Sequence, residues 1–346
     1  MMTSFMNQLR AGKVFIIAEL SANHGHDIEI AKRTIKAAKE SGADAIKVQT
    51  YTADTLTIDC DNEYFKLDSG TIWDGRTLYD LYSEAYTPWE WQKELMEYAK
   101  SIGLLFFSTP FDKTAVDFLE ELEVPVYKVA SFEIMDIPLI EYIASKGKPM
   151  IMSTGVASLS DIEEAVEACK RMGNNQIILM KCTSAYPARI EDANLNTIPN
   201  MKDTFGVEVG LSDHTHGITA PVVSIALGAK VIEKHFILDQ SIGGPDSSFS
   251  LEPYEFKQMV DSVRDAEKAL GKVDYSMNEK KKNSRLLGRS LFIVKDVNAG
   301  EMFTPDNVKS IRPGYGISPK YYPNVIKSRA KINIKKGTPL SWNHIY

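Results

Sequence analysis

Cysteine is scarce in this chain: three residues in 346, Cys60, Cys169 and Cys182, an odd number set far apart. That argues against a disulfide framework and fits a reducing compartment, so the cytoplasm is the expected location. No CxxC pair, HExxH, Walker loop or GxGxxG occurs, which removes several common enzyme classes. Long hydrophobic runs are missing as well. Nothing reaches the roughly 18 apolar residues that a membrane span needs, and the opening segment MMTSFMNQLRAGK has no apolar centre of signal-peptide length. Positive charge is not in excess either. Lys and Arg number 40 against 46 Asp and Glu, a net charge of −6, which argues against nucleic acid or a membrane surface as the main partner. An anionic small substrate stays open, because local lysines can outweigh the global sign.

What is present is the profile of a globular protein, with 44% hydrophobic and 25% charged residues and enough length for one large domain and a small one. From Lys13 to about Gly271, short apolar runs alternate with helical patterns. Eight runs read as strands: Val14–Leu20, Ala45–Thr50, Leu105–Thr109, Val126–Ala130, Pro149–Ser153, Ile177–Thr183, Val207–His214 and Val231–Phe236. Between them, Ile28, Ala31, Ile35 and Ala38 make one apolar stripe after Asp27, an expected N-cap. Trp91, Leu95, Tyr98 and Ile102 make a second. Ser160 and Glu163 are expected to form a capping box at the start of the helix carrying Ile162, Val166 and Cys169. The connection after the sixth strand is the least helical. Eight strand–helix units in about 250 residues fit a closed (β/α)₈ TIM barrel over residues 1–271, with a doubly wound open sheet as the alternative. Residues 272–284, polar and holding Lys280, Lys281 and Lys282, read as a solvated linker. Residues 285–346, with short β-type runs and Gly/Pro turns, read as a small all-β domain.

In a parallel barrel the chemistry sits at the C-terminal ends of the strands, and here nearly every strand ends in polar groups. Lys47 and Gln49 are two apart and share a face, as do Ser212 with His214 and Glu233 with His235. If Ile46 and Val48 pack under helices, Lys47 and Gln49 point inward. A lysine there needs an anion, either a protein carboxylate or a ligand's phosphate or carboxylate. Lys128 and Lys181, with Ser108, Thr109, Ser131, Ser153, Thr154 and Thr183, add amines and hydroxyls suited to such a ligand. His214 and His235 end neighbouring strands and could share one divalent metal with open positions, with Asp213, Glu233 and Asp246 near in sequence. His24 and His26 follow the first strand, as polar loop residues or as site residues.

The segments IAELSANHGHDIEIA, GADAIKVQTY, FFSTPFD, VYKVASFEI, PMIMSTG, KCTSAYP, GLSDHT, VIEKHF and GGPDSSFS, in this order, resemble the sialic acid synthase family over nearly the whole chain. The tail, with LGRSLFIVKDVNAGEMFTPDNV and IRPGYGI, resembles the antifreeze-like (SAF, β-clip) domain that ends these synthases. The resemblance implies a TIM barrel followed by a SAF domain, and a transferase that condenses phosphoenolpyruvate with an N-acetylated amino sugar, as a domain-swapped homodimer. GTIWDGRTLYDLYSEAYTPWEW resembles the pseudaminate-forming branch, which acts on 2,4-diacetamido-2,4,6-trideoxy-L-altrose. Formation of N-acetylneuraminate or legionaminate is the alternative within the family. A non-catalytic carbohydrate-binding protein is the alternative of another class.

Carried over position by position, the resemblance implies that Lys47, Thr109, Lys128, Ser131, Ser153, Ser184 and Ser212 hold phosphoenolpyruvate. It implies His214 and His235 as ligands of manganese or magnesium, with cobalt as a third candidate. Glu19 matches the acid/base glutamate, and Lys47 and Lys128 match the residues that offset substrate charge. Gln49, Glu133, Tyr186 and Asp246 match sugar contacts, and Arg312 matches an arginine that reaches an N-acetyl group from the partner's tail. The chain departs from the sialate branch at Ser184, where asparagine is common, and in the loop around Trp73.

Overall fold

The computed structural model describes residues 5, 6, 9, 12–68, 70 and 72–346. Part of the MMTSFMNQLRAGK segment, and position 71 within GTIWDGR, lie outside the described residues.

Runs of apolar residues buried on both faces become parallel strands, because a pleated strand under helices has no solvent side to fill with polar groups. The strands are β1 (Phe15–Glu19), β2 (Ala45–Thr50), β3 (Leu105–Pro110), β4 (Tyr127–Val129), β5 (Met150–Ser153), β6 (Ile177–Cys182), β7 (Glu208–Asp213) and β8 (Val231–His235). Each lies within two residues of its expected span. They pair in sequence order, and β1 pairs with β8 through Ile17↔Glu233 and Glu19↔His235, so the sheet closes into a barrel rather than an open sheet.

Alternation along the strands builds two apolar layers. Ile16 and Ala18, Ile46 and Val48, and Ile232 face outward against the helices. Phe15, Ile17, Phe107, Ile151, Ile178 and Met180 face inward and plug the barrel's lower half together with Phe5. Above that plug the inward positions turn polar, at Glu19, Lys47, Thr109 and their neighbours. The barrel is therefore solid below and chemical above.

The helix Ile28–Glu40 starts where expected, with the Asp27 carboxylate accepting from the Glu29 and Ile30 backbone N–H groups, and it buries Ala31, Thr34, Ile35 and Ala38. The helix Leu159–Arg171 corrects one expectation. Its capping box is Ser158 with Asp161, not Ser160 with Glu163. The Asp161 carboxylate accepts from Ser158 N at 2.7 Å, and Ser160 only hydrogen-bonds the Ser158 hydroxyl. The unit after β6 also holds a helix, Thr197–Phe205, which ends at Gly206 with φ +67. The long polar loop before it dilutes its sequence signal.

The chain divides into two compact units, Met1–Gly271 and Lys272–Tyr346. The second contains the helix Glu279–Arg285 and an antiparallel pair, β9 (Ser290–Ile293) with β10 (Val308–Ile311). Its own core gathers Leu291, Ile293, Val297, Phe303, Val308 and Leu340.

Candidate active site

Ring closure brings residues from across more than half the chain to one cavity at the C-terminal ends of the strands. Glu19, Lys47, Gln49, Thr109, Lys128, Ser131, Ser153, Tyr186, Ser212, His214 and His235 all line it, and Ala130, Cys182 and Glu233 complete the wall.

Four charges are interleaved at its floor. Lys47 Nζ lies 2.7 Å from Glu19 Oε2 and 3.6 Å from Glu233 Oε1, and donates to Thr109 Oγ1 at 3.2 Å. Lys128 Nζ donates to Ser153 Oγ at 2.7 Å and lies 3.5 Å from the same Glu233 oxygen. Gln49 donates to Glu19 Oε1 at 2.9 Å and to Ser21 Oγ at 3.0 Å. Two ammonium groups and two carboxylates, all buried, offset one another.

Their protonation tendencies differ. Burial, helped by the Glu233 charge, pushes the Glu19 carboxyl up against the pull of Lys47. Burial acts on Glu233 in the same sense, but Lys128 and Lys47 outweigh it and hold its carboxyl below the usual range. Burial lowers Lys128, whereas Glu19 and Glu233 overcome burial and keep Lys47 above the ordinary amine value. Two carboxyls pushed apart in this way are the pattern that separates a proton acceptor from a fixed charge.

The two imidazoles are neighbours, with ring centroids 5.4 Å apart. His214 Nδ1 meets the Thr183 carbonyl at 2.9 Å. A carbonyl only accepts, so Nδ1 carries a proton; burial lowers this imidazole, but Cys182, the Thr183 carbonyl and Asp213 outweigh it and hold it above its ordinary value. His235 Nδ1 is buried with no hydrogen-bond partner, 3.8 Å from an Asp246 oxygen. Burial first, and His214 second, hold His235 well below the ordinary value, hence neutral. A neutral His235 with an unsatisfied buried nitrogen, beside a second imidazole, suits a divalent cation. Among the described residues no cluster of three or more His, Cys, Asp or Glu is poised to hold a metal.

The other expected residues are not among those that line the cavity. The Ser184 and Ser131 hydroxyls both lie over Gly155, whose N–H donates to Ser131 Oγ at 3.2 Å. Glu133 follows β4 on the turn Ser131–Glu133; its Oε2 is buried and unpartnered, and burial raises its carboxyl to about 7. Burial likewise raises Asp246. Arg312 lies on the second unit, exposed, just after β10.

Some residues at the strand ends point elsewhere. Lys181 donates to the Cys182 carbonyl and Thr183 Oγ1, and Ser108 bonds Thr50 and the Val48 carbonyl, away from the cavity. Asp213 and Lys234 pair with each other at 2.6 Å, also off the cavity. Each neighbours an inward residue, and side chains alternate. His24 is a packing residue: fully buried, hydrogen-bonded to Thr87 and the His26 N–H, edge-on to Trp91, and lowered by burial to about 4. Among the polar lining residues, Cys182 has no role in the sequence reading, and Glu233 figures there only through its shared face with His235 and its nearness to the histidines. Parity points to both, Glu233 sharing a face with His235 and Cys182 with Met180. At the rim the Trp73 ring packs 5.4 Å from Tyr186 and its indole N–H donates to the Pro245 carbonyl, beside a cleft of about 330 Å³ lined by Ile72, Arg76, Glu84 and residues flanking Asp246.

A closed parallel barrel whose mouth gathers buried lysines, opposed carboxylates and neighbouring imidazoles has the architecture of a TIM-barrel enzyme. Residues 34–275 match the NeuB family and residues 288–345 match the SAF domain. The chain belongs to the NeuB family. It is 50% identical to a pseudaminic acid synthase of Campylobacter jejuni over 95% of each chain, and 45% identical to that of Helicobacter pylori over 95% of this chain and 97% of that one. Among solved structures it is similar to the N-acetylneuraminic acid (sialic acid) synthetase of Leptospira borgpetersenii in complex with citrate, with 34% identity, a TM-score of 0.70, and 79% of this chain and 90% of that one covered.

Proposed function

We propose that this chain makes pseudaminic acid, by metal-dependent condensation of phosphoenolpyruvate with 2,4-diacetamido-2,4,6-trideoxy-L-altrose and water, with release of phosphate by C–O cleavage. The observation that carries the reading is the convergence of Lys47, Lys128, two neighbouring imidazoles and a raised Glu19 carboxyl on one buried mouth, in a chain half identical to a pseudaminic acid synthase. In this reading residues 1–271 carry the chemistry, 272–284 link, and 285–346 serve as the tail.

Lys47 and Lys128 hold the carboxylate and phosphate of phosphoenolpyruvate, with hydroxyls from Thr109, Ser131, Ser153, Ser184 and Ser212. His214 and His235 hold Mn²⁺ or Mg²⁺, or Co²⁺, and the chemistry such an ion supplies when bound is polarisation of the sugar's aldehyde oxygen. Gln49, Glu133, Tyr186 and Asp246 orient the open-chain sugar, and Trp73 beside Tyr186 offers an apolar wall suited to a 6-deoxy carbon. The methylene carbon of phosphoenolpyruvate then forms the new C–C bond at the aldehyde carbon. Positive character at the enol-ether carbon is quenched by water, whose proton passes to Glu19. Collapse of the resulting tetrahedral centre breaks the C–O bond, releases phosphate and leaves the 2-oxo acid, while the two lysines offset the charge that is set free. Arg312 completes the sugar site from the tail of a second copy in a domain-swapped homodimer. The enzyme works in the cytoplasm.

Phosphate release from phosphoenolpyruvate, measured with the altrose-derived sugar, N-acetylmannosamine and a diacetamido mannose-type sugar, tests the reading. The altrose-derived sugar should have the highest kcat/KM. A higher value for either competitor would reassign the product, and sugar binding without phosphate release would make the protein a carbohydrate binder.

A further inference from the structure

Asp213 and Lys234 take no part in the chemistry above, yet each adjoins one of the two histidines. They are in register across β7 and β8, and their side chains are 2% and 0% exposed. Lys234 Nζ lies 2.6 Å from Asp213 Oδ2 and also donates to the Thr215 carbonyl. Asp213 Oδ1 accepts from Thr215 N at 3.0 Å and from Thr215 Oγ1 at 2.9 Å. One carboxylate therefore closes a turn over 213–215 with His214 at its centre. One ammonium, carried by the strand that ends in His235, holds both ends of that turn.

A buried ion pair is a poor device for stability alone, since an apolar pair of similar volume commonly does as well. It is a good device for fixing two backbones at a set distance, because its bonds are short and directional and water cannot compete for them. The His214 ring is oriented separately, by Thr183, so what remains to be fixed is where its backbone stands relative to His235. We propose that Asp213, Lys234 and Thr215 form a clamp in the barrel wall that sets the separation of the His214 and His235 imidazoles for a divalent cation. Asp213 and Lys234 are then positioning residues that never touch the ion. The inference rests on the reading of the two histidines as metal ligands.

The test is titration of the full-length chain with Mn²⁺, free ion being read by electron paramagnetic resonance, for the wild type, the double variant Asp213→Asn/Lys234→Met and Thr215→Val. The double variant leaves no buried charge, and the amide oxygen it places at position 213 can still accept from Thr215, so only the cross-strand tie is lost. Thr215→Val keeps the shape and removes one bond of the turn. The Mn²⁺ Kd should rise at least about 10-fold in the double variant, in line with other residues that support metal ligands from behind, and by less in Thr215→Val, in chains whose circular dichroism shows them folded. A folded double variant with a Kd within about twofold of wild type would overturn the clamp. Should the double variant not fold, an unchanged Kd in Thr215→Val overturns it. A wild type that takes up no Mn²⁺ overturns the metal reading and the clamp with it, whereas wild-type binding with unchanged variants removes the clamp alone.

Discussion

Glu19→Gln isolates proton transfer with little else disturbed. The amide has the carboxylate's shape, and its oxygen can still accept from Gln49 Nε2, 2.9 Å away in the wild type. What disappears is the basic oxygen and the negative charge facing Lys47 at 2.7 Å. Lys47 keeps Glu233 at 3.6 Å, so the stability cost should fall below the roughly 3–5 kcal/mol of a fully orphaned buried charge, and the chain should fold. A positioned general base contributes about 10²–10⁴ in rate, which is about 2.7–5.4 kcal/mol of barrier at 1.36 kcal/mol per decade. That is the expected loss in kcat. The pH profile supplies a second reading. Burial and Glu233 hold the Glu19 carboxyl above its ordinary 4.5, and a base must be ionised. Wild-type kcat/KM should therefore decline as pH drops through that raised value, and the decline should be absent in the variant. Phosphate release across the acid and neutral range, with melting temperature as a control, measures both. Turnover within about threefold of wild type, or an unchanged acid limb, would refute proton transfer to Glu19.

Glu133→Gln tests the other raised carboxyl through stability. Below its ordinary 4.5 the folded and unfolded chains both hold the proton; between 4.5 and about 7 only the folded chain does, so wild-type stability should decline with rising pH across that window, by at most about 3 kcal/mol. The variant should lose this slope in thermal melts at acid and slightly alkaline pH, and equal slopes would sink the assignment. Chelation by EDTA should abolish phosphate release and added Mn²⁺ restore it; full activity in a preparation shown metal-free by elemental analysis would reject the two-histidine site. Arg312→Ala should raise KM for the sugar far more than KM for phosphoenolpyruvate, and an unchanged sugar KM would mean that the tail does not reach the site.

Much of this site is legible in one dimension because strand parity is a local property. Lys47 and Gln49 flank Val48, and once Ile46 and Val48 are under the helices the polar pair has to face inward. The same reasoning yields Ser212 with His214. Applied to every strand it also adds Cys182, keeps Glu233 with His235, and removes Ser108, Lys181 and Asp213. The capping box escapes a local reading for a different reason. Ser158, Ser160, Asp161 and Glu163 all have cap chemistry, and the pair that closes is the one whose first member, Ser158, has the extended backbone of an N-cap.

By itself the sequence determined the eight strands, their faces, the Asp27 cap and the gathering of lysines and histidines at one rim, since each follows from period, turn chemistry and the closure of a parallel ring. Tertiary structure alone decided the partners. That Glu233 lies between Lys47 and Lys128, that a raised carboxyl faces a depressed one, and that Lys234 reaches across to Thr215 depend on register between strands remote in the chain. Burial then sets the protonation of those groups, and no local run of residues encodes how far a side chain ends up from water.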